Sequence, residues 1–279
     1  MALMRIVQVV CVLAVCILAH RTLNMSSYEH TSKFKSKKAW GLFDQIYCIT
    51  GEWSPKRKML VLEQFRRVGL ESRVTFFYGQ LDSNGHRGAW AAHKGVAKKA
   101  QNCKFEKVLV FEDDIRFTED FVSGYSRYLR EYAAFLETTP NWEYFLFGHN
   151  PFATQATPTP GISRTHSWGM FAYAMSPAGM DKLATAVYPN AHGSTVDGIV
   201  YSSFNTYAFY PMVVQHSSGF SQTIKKNRPE SLHDQWGRRE KKLYTAASKL
   251  AFCYPFVAKY YNEGLFGRIE CLRTGFKLI

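Results

Sequence analysis

From Phe43 onward the chain alternates short apolar runs with longer amphipathic segments. The apolar runs predict β-strands at residues 44–49, 74–78, 108–111, 144–147 and 171–175. The amphipathic segments between them predict helices, and several start with a side chain that can cap a helix: Ser54, Thr118 and Ser176. Strands that alternate with helices predict an α/β domain whose sheet is mainly parallel, Rossmann-like and flanked by helices.

Three segments allow more detailed predictions. Pro55 follows Ser54 and Gly69 closes the helix, so this helix is expected to place Met59, Leu62 and Phe65 in the core. The alanine- and lysine-rich segment 89–100 predicts another helix. Segment 151–161 is rich in proline and threonine and predicts a loop.

The N-terminus carries a targeting signal. An apolar run of about 14 residues, Ile6–Ala19, lies between Arg5 and Arg21, which suits a signal-peptide core and is short for a membrane span. Because no convincing cleavage site follows, residues 1–21 favour an uncleaved signal anchor, with a cleaved signal peptide as the alternative. Residues 22–42 are then a polar stem and 43–279 the domain, in the lumen of the endoplasmic reticulum or Golgi, or secreted after cleavage.

Composition and charge narrow the function. The chain has 46% hydrophobic residues and a formal net charge of +13, which fits an ordinary folded protein with a basic surface. Its lysines and arginines are spread along the sequence rather than collected into a nucleic-acid-binding motif, so no nucleic-acid partner is expected. A phosphate-bearing small molecule or an anionic membrane surface fits the charge equally well.

The cysteines agree with a lumenal domain. Outside the apolar N-terminal run the chain has Cys48, Cys103, Cys253 and Cys271, and none of them shows zinc-ligand spacing. The favoured disulfide joins Cys253 to Cys271, and four buried thiols are the alternative.

Three consecutive acids, Glu112, Asp113 and Asp114, follow the apolar run 108–111. A run of this kind predicts a strand buried on both faces, and ligands of open α/β sheets bind at the carboxyl ends of such strands. Neighbouring carboxylates at a buried strand end repel one another unless a cation offsets them. Glu112 and Asp114 project the same way in extended chain and could share a divalent ion that also holds a diphosphate. The alternative is a solvated acidic turn or an acidic cluster at a helix N-terminus.

The segments around the acids resemble glycosyltransferase family 25, which includes lipooligosaccharide galactosyltransferases and procollagen galactosyltransferases. The resemblance rests on Gly88–Lys94, then Val108–Phe117 with its Glu-Asp-Asp, then Phe171–Leu183 and Val196-Asp197. It extends over about 43–223. The sequence departs from the family pattern at Thr50 and Gly51, which follow the first strand, and at Ala92, where the family has serine.

The resemblance implies a GT-A fold and an inverting, metal-dependent transfer of a sugar, galactose favoured, from a nucleoside-diphosphate donor such as a UDP-sugar to a glycan or protein hydroxyl. It also implies a divalent metal, commonly manganese. Asp114 would be a direct metal ligand, and Glu112 and Asp113 would complete the contacts to the ion and to the ribose of the donor.

The remaining candidates are single residues. Asp197, late in the chain, is the candidate base, and a helix N-terminal acid is the alternative. His216 follows a predicted strand and is a candidate third metal ligand or a structural histidine. His93 aligns with the histidine of the family motif and is either a substrate contact or a packing residue. Lys56 and Arg57 could meet the diphosphate at a helix start or form a solvated basic turn.

Two other functions compete. A metal-dependent phosphodiesterase or nuclease would need further ligands at two-metal spacing, which the sequence lacks. A non-catalytic, membrane-anchored carbohydrate-binding relative with the same fold stays open because of the departures at Thr50, Gly51 and Ala92.

Overall fold

The structure, a computed structural model, describes residues 36–188, 195–203, 205–217, 219–221, 226–228 and three two-residue strands near the C-terminus. The chain divides into two compact units, Met1–Gly41 and Leu42–Ile279. Of the first unit, the described residues belong to the 3-10 helix Ser36–Leu42. The predicted anchor and most of the predicted stem lie outside the described residues. Among the described helices, none combines the length and apolar character that crossing a membrane requires.

The second unit is built on a six-stranded sheet in the order β2-β1-β3-β6-β5-β7. Its strands are β1 Gln45–Thr50, β2 Val74–Tyr78, β3 Val108–Glu112, β5 Tyr144–Ala156, β6 Ile162–Met175 and β7 Thr206–Phe209. The short strands β4 Ile115–Phe117 and β8 Val214–His216 pair with each other. Two small sheets complete the described strands. One pairs β9 Gly219–Ser221 with β10 Lys226–Arg228, and the other joins β11 Val257–Ala258, β12 Ile269–Glu270 and β13 Lys277–Leu278.

The helices of this unit are α1 Pro55–Arg67, α2 Gly85–Asn102, α3 Glu119–Thr138, α4 Pro177–Thr185 and α5 Asp197–Tyr201, with a short 3-10 turn Glu71–Arg73. Two of the three predicted caps form the expected hydrogen bonds, whereas the side chain of Ser54 makes no cap hydrogen bond. The hydroxyl of Thr118 accepts from the Phe121 N–H, and that of Ser176 accepts from the Gly179 N–H. Gly69, with φ of +67°, follows α1 in the left-handed conformation that glycine allows.

The sheet is mainly parallel. β1 pairs in parallel with β2 and β3, and β5 in parallel with β7, whereas β6 runs antiparallel to β3, β5 and β7. Because β1, β2 and β3 point the same way, their carboxyl ends meet at one edge of the sheet, which is where open α/β sheets bind ligands. The α/β class expected from the pattern is confirmed.

Two local predictions are wrong. In α1 the buried residues are Val61 and Phe65, whereas Met59 is 65% exposed and Leu62 is only partly buried. The predicted loop 151–161 is instead half strand, because β5 continues to Ala156 and pairs with β6 across register shifts. Pairing with a long neighbouring strand outweighs the weak strand preference of this proline-containing segment.

The cysteines that the structure describes are both free thiols. Cys48 is buried in β1, and burial, followed by the charges of Asp113, Asp114 and Glu112, raises the pKa of its thiol well above the usual range. Cys103 is exposed. The favoured partners Cys253 and Cys271 lie outside the described residues.

Candidate active site

The acidic segment forms a tight turn between β3 and β4. Glu112 ends β3, and Asp113 and Asp114 turn the chain into β4. Ile115 of β4 is paired with His216 of β8, so this ladder carries His216 to the acids from a distance of about a hundred residues along the chain. One ligand atom each of Glu112, Asp114 and His216 lies within 4.8 Å of the others. The structure thus brings together the three residues considered as metal ligands from the sequence.

Asp114 is held from several sides. The Nδ1 of His216 lies 3.2 Å from its Oδ1. The backbone N–H and the hydroxyl of Ser217 both donate to the backbone oxygen of Asp114, at 2.6 and 3.0 Å. The His216 ring packs against Phe171, with ring centroids 3.9 Å apart. These contacts orient both side chains before any ligand binds.

Asp113 points inward and is 6% exposed. Its Oδ2 accepts a 2.6 Å hydrogen bond from the Thr50 hydroxyl, and its Oδ1 pairs with the Arg57 guanidinium. Burial raises the pKa of Asp113 to about 6, and Arg57 and Thr50 oppose that shift. The buried carboxylate is therefore tolerated because two neighbouring side chains compensate for lost hydration.

Arg57 is shared between two acids. Its guanidinium contacts Asp113 and lies 2.9 Å from the Oδ2 of Asp114. Its buried Nε has no hydrogen-bond partner in the described part of the chain. Arg57 comes from the first turn of α1, next to the cap residue Ser54. It is the basic residue best placed to meet an anion bound beside the acids.

A cleft of about 210 Å³ opens in front of the acids. One wall is the segment after β1, where Trp53 is 39% exposed, and the other is the segment after β2, where Leu81 is 70% exposed. The floor is lined by small residues, among them Gly79, Gly88 and Ala92. The lining mixes apolar with polar residues, since Gln80 and Asp82 lie on either side of Leu81. A ligand with a flat apolar part and an anionic part would meet Trp53 and Arg57 here.

His93 lies at the back of the cleft and is fully buried. Its Nε2 is 3.1 Å from Glu112 Oε1 and its Nδ1 is 2.8 Å from the Tyr173 hydroxyl. Each ring nitrogen is therefore hydrogen-bonded to a protein group. Neither ring nitrogen is left to contact a substrate directly, which was one of the two roles predicted for His93.

Asp197 begins α5, and its Oδ1 accepts from the backbone N–H groups of Gly169 and Met170, at 3.1 and 2.8 Å. It is not among the residues that line the cleft. Burial, then the charges of Tyr144, Glu112 and Asp197, raise the pKa of Tyr173 well above its usual range. Lys56 is exposed and does not line the cleft, whereas its neighbour Arg57 does.

Two contributors to this site, Thr50 and Trp53, were not predicted from the sequence, and neither was the hydrogen bond between Tyr173 and His93. Thr50 was treated only as a departure from the family pattern, yet its hydroxyl holds Asp113. The parallel pairing of Ile49 with Glu112 places the end of β1 beside the acids. Because a parallel sheet was expected, the end of β1 could have been predicted to lie beside the acids, and this would have identified Thr50.

Comparisons with known proteins give weak similarities. No protein family model matches the chain, and neither does any curated protein. The resemblance to family 25 therefore gains no support from them. Among solved structures, one is a glycosyltransferase involved in the glycosylation of the major capsid of PBCV-1, with 13% identity and a TM-score of 0.38 over 71% of this chain and 99% of that one.

Two further structures are similar at the same level. UDP-glucose pyrophosphorylase complexed with UDP-glucose has 8% identity and a TM-score of 0.39, over 72% of this chain and 81% of that one. Mannose-1-phosphate geranyltransferase from Thermus thermophilus has 12% identity and a TM-score of 0.36, over 59% and 72%. Values this low do not assign the chain to a family, so its function has to be argued from the site.

Proposed function

We propose that the chain is a metal-dependent glycosyltransferase that moves a sugar from a nucleoside-diphosphate donor to a hydroxyl of a glycan or protein. The observation that carries the proposal is the grouping of Glu112, Asp114 and His216 within 4.8 Å, beside Arg57 and next to a cleft that Glu112 and Asp114 line. Such a site presents ligands for a divalent cation and, in Arg57, a positive charge for a diphosphate.

The donor set fits a divalent metal. Two carboxylate oxygens and one imidazole nitrogen suit a borderline-hard ion, and manganese accepts both kinds of ligand. The cost of placing Asp113 and Asp114 next to each other at a partly buried turn also falls when a cation is present. When bound, the metal would supply Lewis-acid stabilisation to the departing diphosphate.

The cleft suits the rest of the donor. Trp53 offers an aromatic face on which a base can stack, and stacking of this kind is tolerant of base identity. Arg57 supplies a planar, permanently charged group matched to phosphate oxygens. That the base is uracil and the sugar galactose rests on the resemblance to family 25.

Asp197 is the proposed base. Two backbone N–H groups hold its Oδ1 and fix the plane of the carboxylate, which leaves Oδ2 to take a proton. In an inverting transfer the acceptor oxygen attacks the anomeric carbon while its proton passes to the base, and the diphosphate leaves from the opposite face. The fixed orientation favours that transfer because the carboxylate does not need to reorganise.

Location follows from the N-terminus. The apolar run 6–19 supports a single-pass anchor or a cleaved signal peptide, and so a lumenal domain in the endoplasmic reticulum or Golgi. A glycosylation-site reporter fused to the C-terminus would become glycosylated in microsomes if this is correct. An unmodified reporter would place the domain on the other side.

The function is tested with the purified domain and the Asp114→Asn variant. Wild type should hydrolyse or transfer from UDP-galactose or UDP-glucose with manganese and lose that activity with chelator, whereas Asp114→Asn should lose at least about 100-fold. Asp181→Asn, an exposed acid on α4 outside the cleft, is the matched control. Wild-type activity in Asp114→Asn would refute the chemistry, and metal-dependent donor binding without turnover would indicate a non-catalytic binding protein.

A further inference from the structure

A buried chain of hydrogen bonds runs from the core to the acids. The Tyr173 hydroxyl lies 2.8 Å from His93 Nδ1, and His93 Nε2 lies 3.1 Å from Glu112 Oε1. Tyr173 and His93 are both fully buried, and their rings stack with centroids 5.7 Å apart. Of the three residues, only Glu112 reaches the cleft with a partly exposed side chain.

The chemistry of the three groups determines which atom is the donor in each hydrogen bond. An ionised Glu112 can only accept, so His93 Nε2 must carry the hydrogen that it shares with Oε1. In a neutral imidazole the other nitrogen is then an acceptor, and the Tyr173 hydroxyl must donate to it. Burial, then the charges of Tyr144, Glu112 and Asp197, raise the pKa of Tyr173 well above its usual value, so the hydroxyl keeps the proton it donates.

The opposite tautomer would place a lone pair of Nε2 against the carboxylate at 3.1 Å. Two acceptors at that distance repel each other. The carboxylate of Glu112 therefore selects the ring form, and the Tyr173 hydroxyl, which can donate or accept, donates to Nδ1 and holds the ring in place.

We infer that Tyr173 and His93 are positioning residues for the proposed metal ligand Glu112: the tyrosine holds the histidine ring in place, and the histidine holds one carboxylate oxygen so that the other faces the cation. The inference rests on the proposed function. Outer partners of this kind orient metal ligands and commonly change metal affinity by about 10- to 100-fold when removed.

The chain supplies a matched control. Tyr144 is also fully buried, belongs to the same hydrophobic cluster as Tyr173, and donates a 2.8 Å hydrogen bond to the backbone oxygen of Gly179. Tyr144→Phe and Tyr173→Phe each remove one buried hydroxyl from the core. A general loss of stability should affect both variants, whereas an effect on the metal site should appear only in Tyr173→Phe.

The experiment titrates manganese in the presence of UDP and follows free manganese by electron paramagnetic resonance. Tyr173→Phe should weaken manganese binding by about 10- to 100-fold, and Tyr144→Phe should stay within about twofold of wild type. Nitrogen-15 NMR of the histidine rings in the metal-free protein gives a second readout. Loss of the hydroxyl that donates to Nδ1 should shift the Nδ1 resonance of His93 in Tyr173→Phe, whereas Tyr144→Phe should leave that resonance at its wild-type position.

A second pair covers the case in which Tyr173→Phe does not fold. The terminal amide of His93→Gln can still donate towards Glu112, whereas the shorter His93→Asn cannot reach it, so manganese binding should be weaker in the asparagine variant. Equal manganese affinity in Tyr173→Phe and Tyr144→Phe, an unchanged His93 Nδ1 resonance in Tyr173→Phe, or equal binding by the two His93 variants would overturn the inference.

The same titration separates this inference from the function on which it rests. If wild type binds manganese with UDP and Asp114→Asn does not, the proposed site stands whatever the tyrosine variants show. If wild type binds no manganese with UDP, both the function and the positioning role fail together.

Discussion

The guanidinium of Arg57 lies 2.9 Å from Asp114 Oδ2 and also pairs with Asp113, so one cation from the protein already sits against the acids. Asp114 is also a proposed ligand of the divalent ion. A guanidinium and a metal this close repel each other, and a diphosphate carries the negative charge that lets both remain. Metal and donor should therefore bind better together than separately.

Replacing Arg57 with glutamine should uncouple manganese binding from UDP binding. Removing a positive charge a few ångströms away should strengthen binding of manganese alone by at least about fivefold, because such a charge is worth roughly 1 kcal/mol or more. Binding of UDP should weaken by about tenfold or more, since a charge-assisted contact is lost. Isothermal titration calorimetry with each ligand alone and with both would measure the coupling.

Arg67→Gln is the control for that experiment. Arg67 lies on the same helix and pairs with Glu119, away from the cleft. It should leave both affinities unchanged. If Arg57→Gln weakened manganese binding as much as UDP binding, the idea that Arg57 and the metal compete for Asp114 would be wrong.

Much of the fold follows from local sequence because its signals are local. The continuous apolar run of β3 and the caps at Thr118 and Ser176 each act within a few residues. The errors concern long-range pairing. Only the neighbouring strand β6 keeps residues 151–156 extended, and the core-facing side of α1 depends on what packs beneath Val61 and Phe65.

The candidate site also has parts that follow from local sequence and parts that depend on long-range contacts. The acids at the end of β3 could be predicted because strand ends and carboxylates are both visible in the sequence. His216 reaches them only through the pairing of β4 with β8, and His93 turns into the protein because Tyr173 and Glu112 bind its two nitrogens. Neither arrangement has a local signature, so the sequence could nominate these histidines without fixing what they contact.

His216 is the proposed metal ligand with the least support from sequence. Its Nδ1 is 3.2 Å from Asp114, and its ring packs on Phe171. His216→Ala should weaken manganese binding in the presence of UDP by about 10- to 100-fold, because one of three protein ligands is lost. His216→Phe keeps ring packing without a ligand atom and should show the same loss. Normal affinity in the phenylalanine variant would make His216 structural.

Trp53 should contribute to nucleotide binding. Its partly exposed indole lines the cleft, and base stacking on an aromatic side chain is worth about 1–3 kcal/mol. Trp53→Ala should weaken UDP binding by about 5- to 100-fold and Trp53→Phe by less, as measured by isothermal titration calorimetry. Met59→Ala, exposed on α1 and outside the cleft, is the control for loss of exposed apolar surface. Equal UDP affinity in Trp53→Ala and wild type would place the base elsewhere.

Glu143 should make stability depend on pH. Burial acts to raise its pKa, but hydrogen bonds from Ser203 and Lys182, at 2.6 and 3.0 Å, outweigh burial and leave the pKa below the ordinary value. The folded state then binds fewer protons than the unfolded state near pH 4.5, so the stability from this carboxylate is present above that pH and is lost as pH falls through the folded pKa.

Glu143→Gln should therefore cost about 1 kcal/mol of unfolding free energy at pH 7 and progressively less below pH 4.5. Urea unfolding of both proteins between about pH 3 and pH 7 measures the difference. Because Lys182 is about a third exposed, added salt should reduce the effect. A difference that stayed constant over the whole range would mean that ionisation of Glu143 has no part in it.

Asp197→Asn separates a base from a structural acid. Asparagine keeps an oxygen for the N–H groups of Gly169 and Met170 and keeps the shape of the side chain, but it cannot take a proton at neutral pH. If Asp197 accepts the proton of the acceptor hydroxyl, kcat should fall by about 100- to 10,000-fold while UDP-sugar affinity stays near the wild-type value. Transfer should then be lost more than donor binding. A melting temperature close to that of wild type would show that the helix start of α5 is intact, and a variant with unchanged kcat would assign Asp197 to that helix start alone.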